Sequence, residues 1–493
     1  MVDNASRTFN ASAISANFGY NAWYAQTDWR IRPNITLNLG LRYEIPLARS
    51  TSPTGFTSFD PNITDPRSGL KGATAYLGDC NGCINRDGFV PPSTFLAPPV
   101  INPSVSNAAD DLYYITPDSG KAPRFQNYTI SIQRELPWKL VGEIAYIGMR
   151  GSRISSSHAP LNHLDPKYYP LGDLLTKRID DPAVVAAGYK SPYANFIADW
   201  GAGATLARAL RPFPHINGPI NNLYNPIGNS WYNSMQVKLD RRFGWVTMEA
   251  NYTWSKALTD ASGTQTGGDA ANRNPKTTTP YNPRVLELEK SFQYTDYPHI
   301  FNTVFSWDLP FGQGKRFANG NSVVDRLIGG WTVTFAGRYT SGALILLNAP
   351  MTYPQWGGFL YGRKEVNIVS GKAIRTNVNR RDLDPRNTSI RWFNTDFFTI
   401  PGTFEIGNSP TYLNELRDPN FFEESMGFIK RTRIRESVNF EIRGEFFNIF
   451  NRTNFGIGGT PPRPNPADLT RFGVPNGPRS GPRSGQIVLK LNF

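Results

Sequence analysis

The sequence predicts an all-β protein that crosses a membrane as a partial antiparallel β-barrel, about 11–12 strands of a larger barrel, with short periplasmic turns and long extracellular loops. Strict alternation of apolar and polar residues is the first observation behind this prediction. In Val438–Phe447 and in Ile35–Ile45, alternate side chains give one apolar and one polar face. A tilted strand of about 9–11 residues crosses a bilayer, whereas soluble strands usually have about 5–6 residues.

The spacing of such segments is the second observation. Connections of a few residues alternate along the chain with connections of tens of residues. Soluble β proteins rarely need loops longer than about 12–15 residues. Outer-membrane barrels combine short periplasmic turns with long extracellular loops. This rhythm favours a membrane barrel over a soluble β protein.

Composition is the third observation. Only 39% of the residues are hydrophobic and the mean hydropathy is −0.41, and no apolar run approaches the ~18 residues of a membrane helix. Aromatic residues make up 13%, as expected for the girdles of a barrel. The net charge of +13 comes from scattered basic residues with no nucleic-acid-binding motif, so nucleic acid is not a predicted partner. Anionic lipid headgroups are an alternative partner for a basic surface.

The elements follow one another as hairpins. The predicted strands are Asn21–Arg32, Ile35–Ile45, Arg124–Leu136, Leu140–Arg150, Ser234–Asp240, Val246–Ser255, His299–Leu309, Trp331–Leu346, Glu424–Ile434, Val438–Phe447 and Gln486–Phe493. The predicted long loops are Pro46–Pro123, Gly151–Ser230, Leu258–Pro298, Asn348–Asn420 and Asn451–Gly485. We expect one short helix, Asp180–Ala187, in the second loop. Residues 1–20 are predicted to be an N-terminal segment with a further candidate strand at Phe9–Tyr20, and residues 21–493 to form the barrel portion.

The two cysteines, Cys80 and Cys83, lie in a polar loop in the string Cys-Asn-Gly-Cys. A metal site would need further ligands, and a redox pair would be expected to open a helix after a strand. We therefore favour a structural disulfide formed in an oxidising compartment. The sequence predicts no metal site and no cofactor.

Charged residues recur on the polar faces of the strands. The candidates for lining a barrel interior are Arg42, Glu44, Lys238, Glu249, Arg338, Glu441, Arg443 and Glu445. Glu441 and Glu445 flank Arg443 on one face, which could suggest acid–base chemistry. Interleaved opposite charges more often form a ladder of ion pairs, and we interpret these residues in that way. Without a nucleophile elbow or a zinc-protease motif, the sequence does not predict an enzyme.

Several strings resemble a known family. TDWRIRPNITLNLGLRYE, NSMQVKLDRRFG, ANYTWSKAL, SWDLPFGQGKRF, GGWTVTFAGRYTSG and IRGEFFNIFNRTNFG resemble TonB-dependent outer-membrane receptors of the Oar-like, Acidobacteria-type group. The terminal Phe493 closes an alternating strand and resembles the signal by which the barrel-assembly machinery recognises such proteins. The resemblance implies the bacterial outer membrane, contact with its lipid and lipopolysaccharide, and uptake of an unknown scarce solute.

The resemblance also implies parts that this sequence does not show. Members carry a signal peptide, a TonB box, a plug domain and a barrel of about 22 strands. None of these N-terminal parts is predicted before Tyr20, so we expect the chain to be the C-terminal portion of the barrel, reaching the TonB complex only through a plug that it lacks. A small self-closing barrel of about twelve strands is the alternative.

Solute capture is expected in the long loops. The aromatic candidates are Trp200, Tyr224, Trp356 and Tyr361, since aromatic faces stack on sugars and grip peptides, although such residues also serve as loop packing. Two other function classes stay open: a passive porin-like or adhesive barrel without energy coupling, and a secreted carbohydrate-binding β protein. Steady conductance would indicate the former, and solubility without detergent the latter.

Overall fold

The structure, a computed structural model, describes a defined part of the chain. The described residues are 15–17, 19–47, 50–52, 57–65, 68–76, 112–114, 121–156, 161–162, 164–217, 220–222, 225–261, 290–312, 315–317, 327–347, 366–402, 404, 407–434, 438–457 and 469–493. Cys80, Cys83, Tyr224, Trp356 and Tyr361 lie outside these ranges, so the predictions made for them stay predictions.

Eleven long strands form one antiparallel sheet in which sequence neighbours are also spatial neighbours. They are β1 (Tyr20–Arg32), β2 (Ile35–Pro46), β3 (Arg124–Leu136), β4 (Leu140–Ser156), β5 (Asn225–Phe243), β6 (Val246–Thr259), β7 (His299–Asp308), β8 (Trp331–Thr340), β9 (Phe421–Arg433), β10 (Asn439–Phe447) and β11 (Ser484–Asn492). β1 and β11 form the two edges of this sheet, and no ladder joins them in the described part of the chain. The predicted strand set and the partial barrel are confirmed.

The register separates an apolar face from a polar face. One row across nine strands contains only bulky apolar and aromatic side chains: Trp29, Leu37, Ile132, Ile144, Val237, Tyr252, Phe301, Tyr339 and Phe422. The row one residue away contains only polar ones: Arg30, Thr36, Gln133, Glu143, Lys238, Asn251, Asn302, Arg338 and Glu423. Because successive side chains point to opposite faces, the apolar row faces the lipid and the polar row faces the interior of the barrel.

Aromatic pairs mark both ends of the strands, as the composition predicted. At the turn end, Trp245 and Trp307 have ring centroids 6.3 Å apart. At the loop end, Phe301 and Tyr339 are 5.9 Å apart. Aromatic side chains of this kind lie at the level of the lipid headgroups. The apolar face between them is therefore the part of the sheet that the hydrocarbon covers.

Several predicted boundaries are wrong. β4 continues to Ser156 and β5 begins at Asn225, so this hairpin extends into the segment predicted as a loop. Above the bilayer both faces of a strand meet water, and the sequence need not alternate there. β8 ends at Thr340 instead of Leu346, and Leu344–Leu346 forms a separate short strand that pairs with Tyr412–Arg417. Between the two segments, a Cβ on Gly342 would lie 1.6 Å from the carbonyl oxygen of Asp418. Only glycine permits that close approach.

The long loops contain their own short elements. The short strands are Ser15–Asn17, Ser50–Ser52, Thr57–Thr64, Lys71–Tyr76, Leu112–Tyr114, Ile220–Asn222, Ser291–Phe292, Leu344–Leu346, Asn367–Ile368, Phe398–Thr399, Tyr412–Arg417, Phe455–Ile457 and Pro475–Pro478. The α-helices are Pro182–Ala186, Phe196–Trp200 and Leu206–Ala209, and the 3₁₀ helices are Pro137–Lys139, Pro166–Thr176, Gly201–Gly203 and Arg380–Asp382. None of the helices among the described residues is long and apolar enough to span a bilayer.

Two of these elements bear on the sequence predictions. The helix expected at Asp180–Ala187 is present as Pro182–Ala186, where Asp181 accepts a hydrogen bond from the backbone N–H of Ala183. The prediction that it is the single helical element of that loop is wrong, because other helical turns follow it. Within the candidate strand Phe9–Tyr20, Ser15–Asn17 pairs with Ser50–Ser52 in a separate ladder.

The buried core lies in the loops rather than in the sheet. Loop core A contains Leu164, Tyr169, Leu175, Ile179, Val184, Tyr193, Phe196, Ala204, Leu206, Ala207 and Phe404. Loop core B contains Ile345, Leu347, Val366, Leu383, Trp392, Phe393, Phe397, Phe398, Leu416, Ile457 and Phe472. Phe404 reaches core A from the loop that supplies most of core B. The long loops are therefore folded bodies that pack on one another at one end of the sheet.

Candidate functional site

The eight charged residues predicted to line the barrel interior all lie on the polar face. On β10, Glu441 pairs with Arg443 at 2.8 Å and with Arg431 of β9 at 2.9 Å. Arg443 also reaches Glu445 at 3.4 Å, and Glu445 accepts a hydrogen bond from Gln486 of β11. The predicted ladder is therefore present and spans three strands. Each carboxylate has a basic partner, so neither resembles a free acid or base.

The other predicted residues form smaller clusters. Glu44 pairs with Arg42, and the Tyr20 hydroxyl donates to Glu44. Lys238 and Glu249 are 3.9 Å apart across β5 and β6, and the amide of Asn251 donates to Glu249 at 2.7 Å. Arg338 lies directly across from Glu423 in the register of β8 and β9. The structure thus brings the eight residues to one face but not to one point.

A cavity of about 700 Å³ lies on this face between β5 and β10. Its charged lining comes from Asp240, Arg242, Glu249 and Glu445, and Ser425 and Gly427 are among its small residues. Val304 and Phe447 are among the apolar residues of the lining, so the cavity offers apolar contacts beside the charged groups. A surface of this kind can hold a polar segment by ion pairs and hydrogen bonds.

A buried ion pair ties two long loops together above the sheet. Arg417 donates to the carboxylate of Asp296 at 2.5 Å and to the backbone carbonyl of the same residue at 2.7 Å. The Asp296 side chain is fully buried, and its other oxygen accepts the N–H of Ala257 at 2.6 Å. Burial lowers the pKa of Arg417, although Asp296 favours the charged form. This pair anchors the loop layer to the end of β6.

A second junction joins the last two loops. Asp418, which is 4% exposed, accepts the N–H of Ile457 at 2.7 Å and a hydrogen bond from Arg479. Burial raises the pKa of Asp418 to about 6, although Arg479 and the Ile457 amide oppose the shift. The carboxyl group therefore titrates near pH 6.

We expect this junction to be more stable in acid. The pKa of Asp418 is above its ordinary value of 3.8, so its contribution to stability is fully present below about pH 3.8 and is lost as the pH rises through 6. The opening free energy should fall by on the order of 2–3 kcal/mol between pH 4 and pH 8. Hydrogen exchange at the Ile457 amide, corrected for intrinsic rates, measures it. In Asp418→Asn this pH dependence should disappear, and its persistence there would assign it to another group.

The aromatic candidate Trp200 is half-buried against loop core A. Its indole N–H donates to the Tyr193 hydroxyl at 3.0 Å, and the Arg208 guanidinium lies 3.8 Å from the centre of its ring. These contacts are those of a packing residue, and they leave only part of the ring exposed. Phe493, the predicted assembly signal, is 96% exposed after the end of β11.

Sequence inspection missed a buried charge on the apolar face. Glu424 is fully buried and its carboxylate lies 2.8 Å from Arg452. It shares a row with Gly337 of β8, where the rings of Phe335 and Tyr339 occupy the space that a side chain would take. A signal was available, because consecutive Glu423 and Glu424 must point to opposite faces of a strand. The junctions at Asp296 and Asp418 had no such signal.

No metal site is evident in the described ranges, where no group of three His, Cys, Asp or Glu side chains converges. Comparison with solved structures finds similar proteins. The chain is similar to the ferric-catecholate import receptor Fiu of E. coli K12 (9% identity, TM-score 0.34, 97% of this chain and 45% of that one). It is also similar to the FrpB iron transporter of Neisseria meningitidis (12% identity, TM-score 0.34, 98% of this chain and 46% of that one). A third similar structure is the outer membrane transporter YddB of Escherichia coli (9% identity, TM-score 0.37, 96% of this chain and 45% of that one).

The chain spans slightly less than half the length of these solved proteins. Comparison with curated proteins finds no match. At the level of sequence families, the profile described as "Outer membrane beta barrel domain" matches residues 1–100 and 81–486. These two matches cover most of the chain, which therefore belongs to the outer membrane beta-barrel domain family and is a protein of the bacterial outer membrane.

Proposed function

We propose that this chain is the C-terminal barrel portion of a TonB-dependent receptor of the Oar-like, Acidobacteria-type group, which takes up a scarce solute. The observation that carries the proposal is the folded loop layer above a charged polar face. Loop cores A and B bury large side chains completely, which a passive pore does not require. Folded loops can present a fixed binding surface, because they are already ordered and lose little conformational entropy when a solute binds.

The direction of the edge strands indicates that further strands complete the barrel. Eleven strands alternate in direction, so β1 and β11 run the same way. An open edge in hydrocarbon leaves unpaired N–H and C=O groups at several kcal/mol each. Joining β1 directly to β11 would make a parallel pair, whereas an odd number of additional strands keeps every pair antiparallel. Direct closure of the eleven strands is therefore unfavourable, whereas one more strand would complete the small barrel and a larger odd number would complete a receptor barrel.

In the complete receptor, the eight charged residues would line the lumen. The ladder on β9 to β11 satisfies most of its own charges, so it would hold a plug by exchangeable hydrogen bonds rather than by net charge. The TonB complex would act on that plug. The barrel-assembly machinery would recognise Phe493. Tyr224, Trp356 and Tyr361 remain the candidates for solute capture, together with the exposed part of the Trp200 ring.

Conductance in planar bilayers tests the proposal against a porin-like barrel. We expect the full-length protein in potassium chloride to stay mostly closed, because a plug fills the lumen. Deletion of the plug should give large, steady openings. A full-length protein that shows steady openings from the start would favour a passive porin. A protein that stays closed after removal of the plug would favour an adhesive barrel without a transport path.

A further inference from the structure

A second cavity of about 700 Å³ opens on the apolar face, near the loop end of β4 to β7. Its floor is formed by Ile144, Tyr146, Met235 and Trp254. The register places Tyr146, Met235 and Trp254 in one cross-strand row, and all four side chains are well exposed, Ile144 at 58% and Trp254 at 55%. We call this site the outer pocket. Because it lies on the face that meets the bilayer, its occupants are lipids rather than solutes in the lumen.

Basic side chains stand at the extracellular lip of the outer pocket. Lys256 lies on the same face as Trp254, one row closer to the loops, and its ammonium is 5.3 Å from the ring centre of Phe292. It forms no ion pair with any residue that the structure describes. Lys290 sits 4.1 Å from the ring centre of Trp231, and Arg150 is the cross-strand neighbour of Trp231. Lys256 therefore lines the pocket itself, and Lys290 and Arg150 lie around Trp231, one cross-strand row further toward the loops.

Nearby acidic groups do not neutralise these cations. Asp296 is paired with Arg417 and accepts the Ala257 amide. Asp260 accepts hydrogen bonds from the backbone and side chain of Asn229 at 2.5 and 3.1 Å. The lip is thus net positive, at the level where aromatic side chains mark the headgroup region. Exposed ammonium groups beside a membrane attract anionic headgroups.

We propose that the outer pocket binds one anionic glycolipid of the outer leaflet, with its phosphate at Lys256 and Lys290 and an acyl chain along Ile144, Met235 and Trp254. The combination of cations above and an apolar trough below matches the two parts of such a lipid. The Tyr146 hydroxyl donates to Asn233 at 2.7 Å, which places a polar group between the two parts. This site is separate from solute uptake and depends only on the membrane location.

Native mass spectrometry of the full-length protein in detergent tests the site. With bisphosphorylated lipid A as the probe, we expect one lipid bound per chain. Lys256→Glu combined with Lys290→Glu should weaken this binding at least tenfold, and Trp254→Ala should weaken it without changing its phosphate dependence. The matched control is Lys167→Glu, an exposed loop lysine far along the chain, which should bind like the unaltered protein.

Two further probes separate the headgroup from the whole lipid. Dephosphorylated lipid A should bind much more weakly, and inorganic phosphate at equal concentration should not displace lipid A. Equal binding by the double variant, in a protein that keeps its β circular dichroism, would overturn the proposal. Displacement by inorganic phosphate would overturn it as well, since the site would then hold a free anion.

Discussion

Replacing Asp296 by alanine is expected to destabilise the extracellular loop layer by about 3–5 kcal/mol. The variant leaves the guanidinium of Arg417, whose side chain is 10% exposed, without its carboxylate. It also removes the acceptor of the Ala257 amide. Leaving the buried charge of Arg417 unpaired costs more free energy than the intact ion pair contributes to stability. Hydrogen exchange at Ala257 and resistance of the loops to proteolysis measure the effect.

Two further variants interpret that result. Asp396→Ala is the matched control, because Asp396 pairs with Lys372 at 2.9 Å where both side chains are more than half exposed, and exposed pairs contribute little. It should leave loop protection unchanged. Asp296→Leu with Arg417→Met should recover part of the loss, since it removes the unpaired charge. No recovery would assign the loss to the Ala257 hydrogen bond, and a harmless Asp296→Ala would show that the pair does not hold the loops.

The strands could be predicted from sequence because their signal is local. A residue such as Ile442 or Arg443 shows its environment through its immediate neighbours, and lipid on one side with polar groups on the other imposes a period of two. The same logic placed all eight charged candidates on one face. It failed where the environment changes, as at Asn225–Ser230, because a strand in water on both sides carries no alternation.

The loop layer could not be predicted in the same way. Arg417 and Asp296 are separated by 121 positions, and Arg479 and Asp418 by 61. No spacing rule connects residues at such distances, and the apolar loop residues lack the period of either a strand or a helix. Phe404 is a further case, since it packs in a core formed mostly by another loop. The candidate solute-binding surface depends on this layer, so it is the part that sequence alone left open.

In loop core B, the ring of Phe472 packs against three other aromatic rings. Phe472 is 1% exposed and its ring lies 4.9 Å from that of Phe398, 6.2 Å from Phe397 and 6.4 Å from Phe393. It comes from the loop between β10 and β11, whereas the other three rings come from the loop between β8 and β9. Its packing therefore couples two loops that the chain connects only through two strands of the sheet.

Phe472→Ala should cost about 3–5 kcal/mol, the range for removing a fully buried aromatic ring. The coupling is measured by hydrogen exchange at the backbone N–H of Trp392, which donates to the carbonyl oxygen of Gly473 at 2.7 Å. Exchange at this amide should accelerate strongly in the variant. Leu469→Ala, three positions earlier in the same loop and 48% exposed, should change stability by less than about 0.5 kcal/mol. Equal exchange in both variants would mean that the loops are held by backbone contacts alone. Faster exchange only in Phe472→Ala, with the sheet unchanged, would establish the loop layer as a unit that opens independently of the barrel.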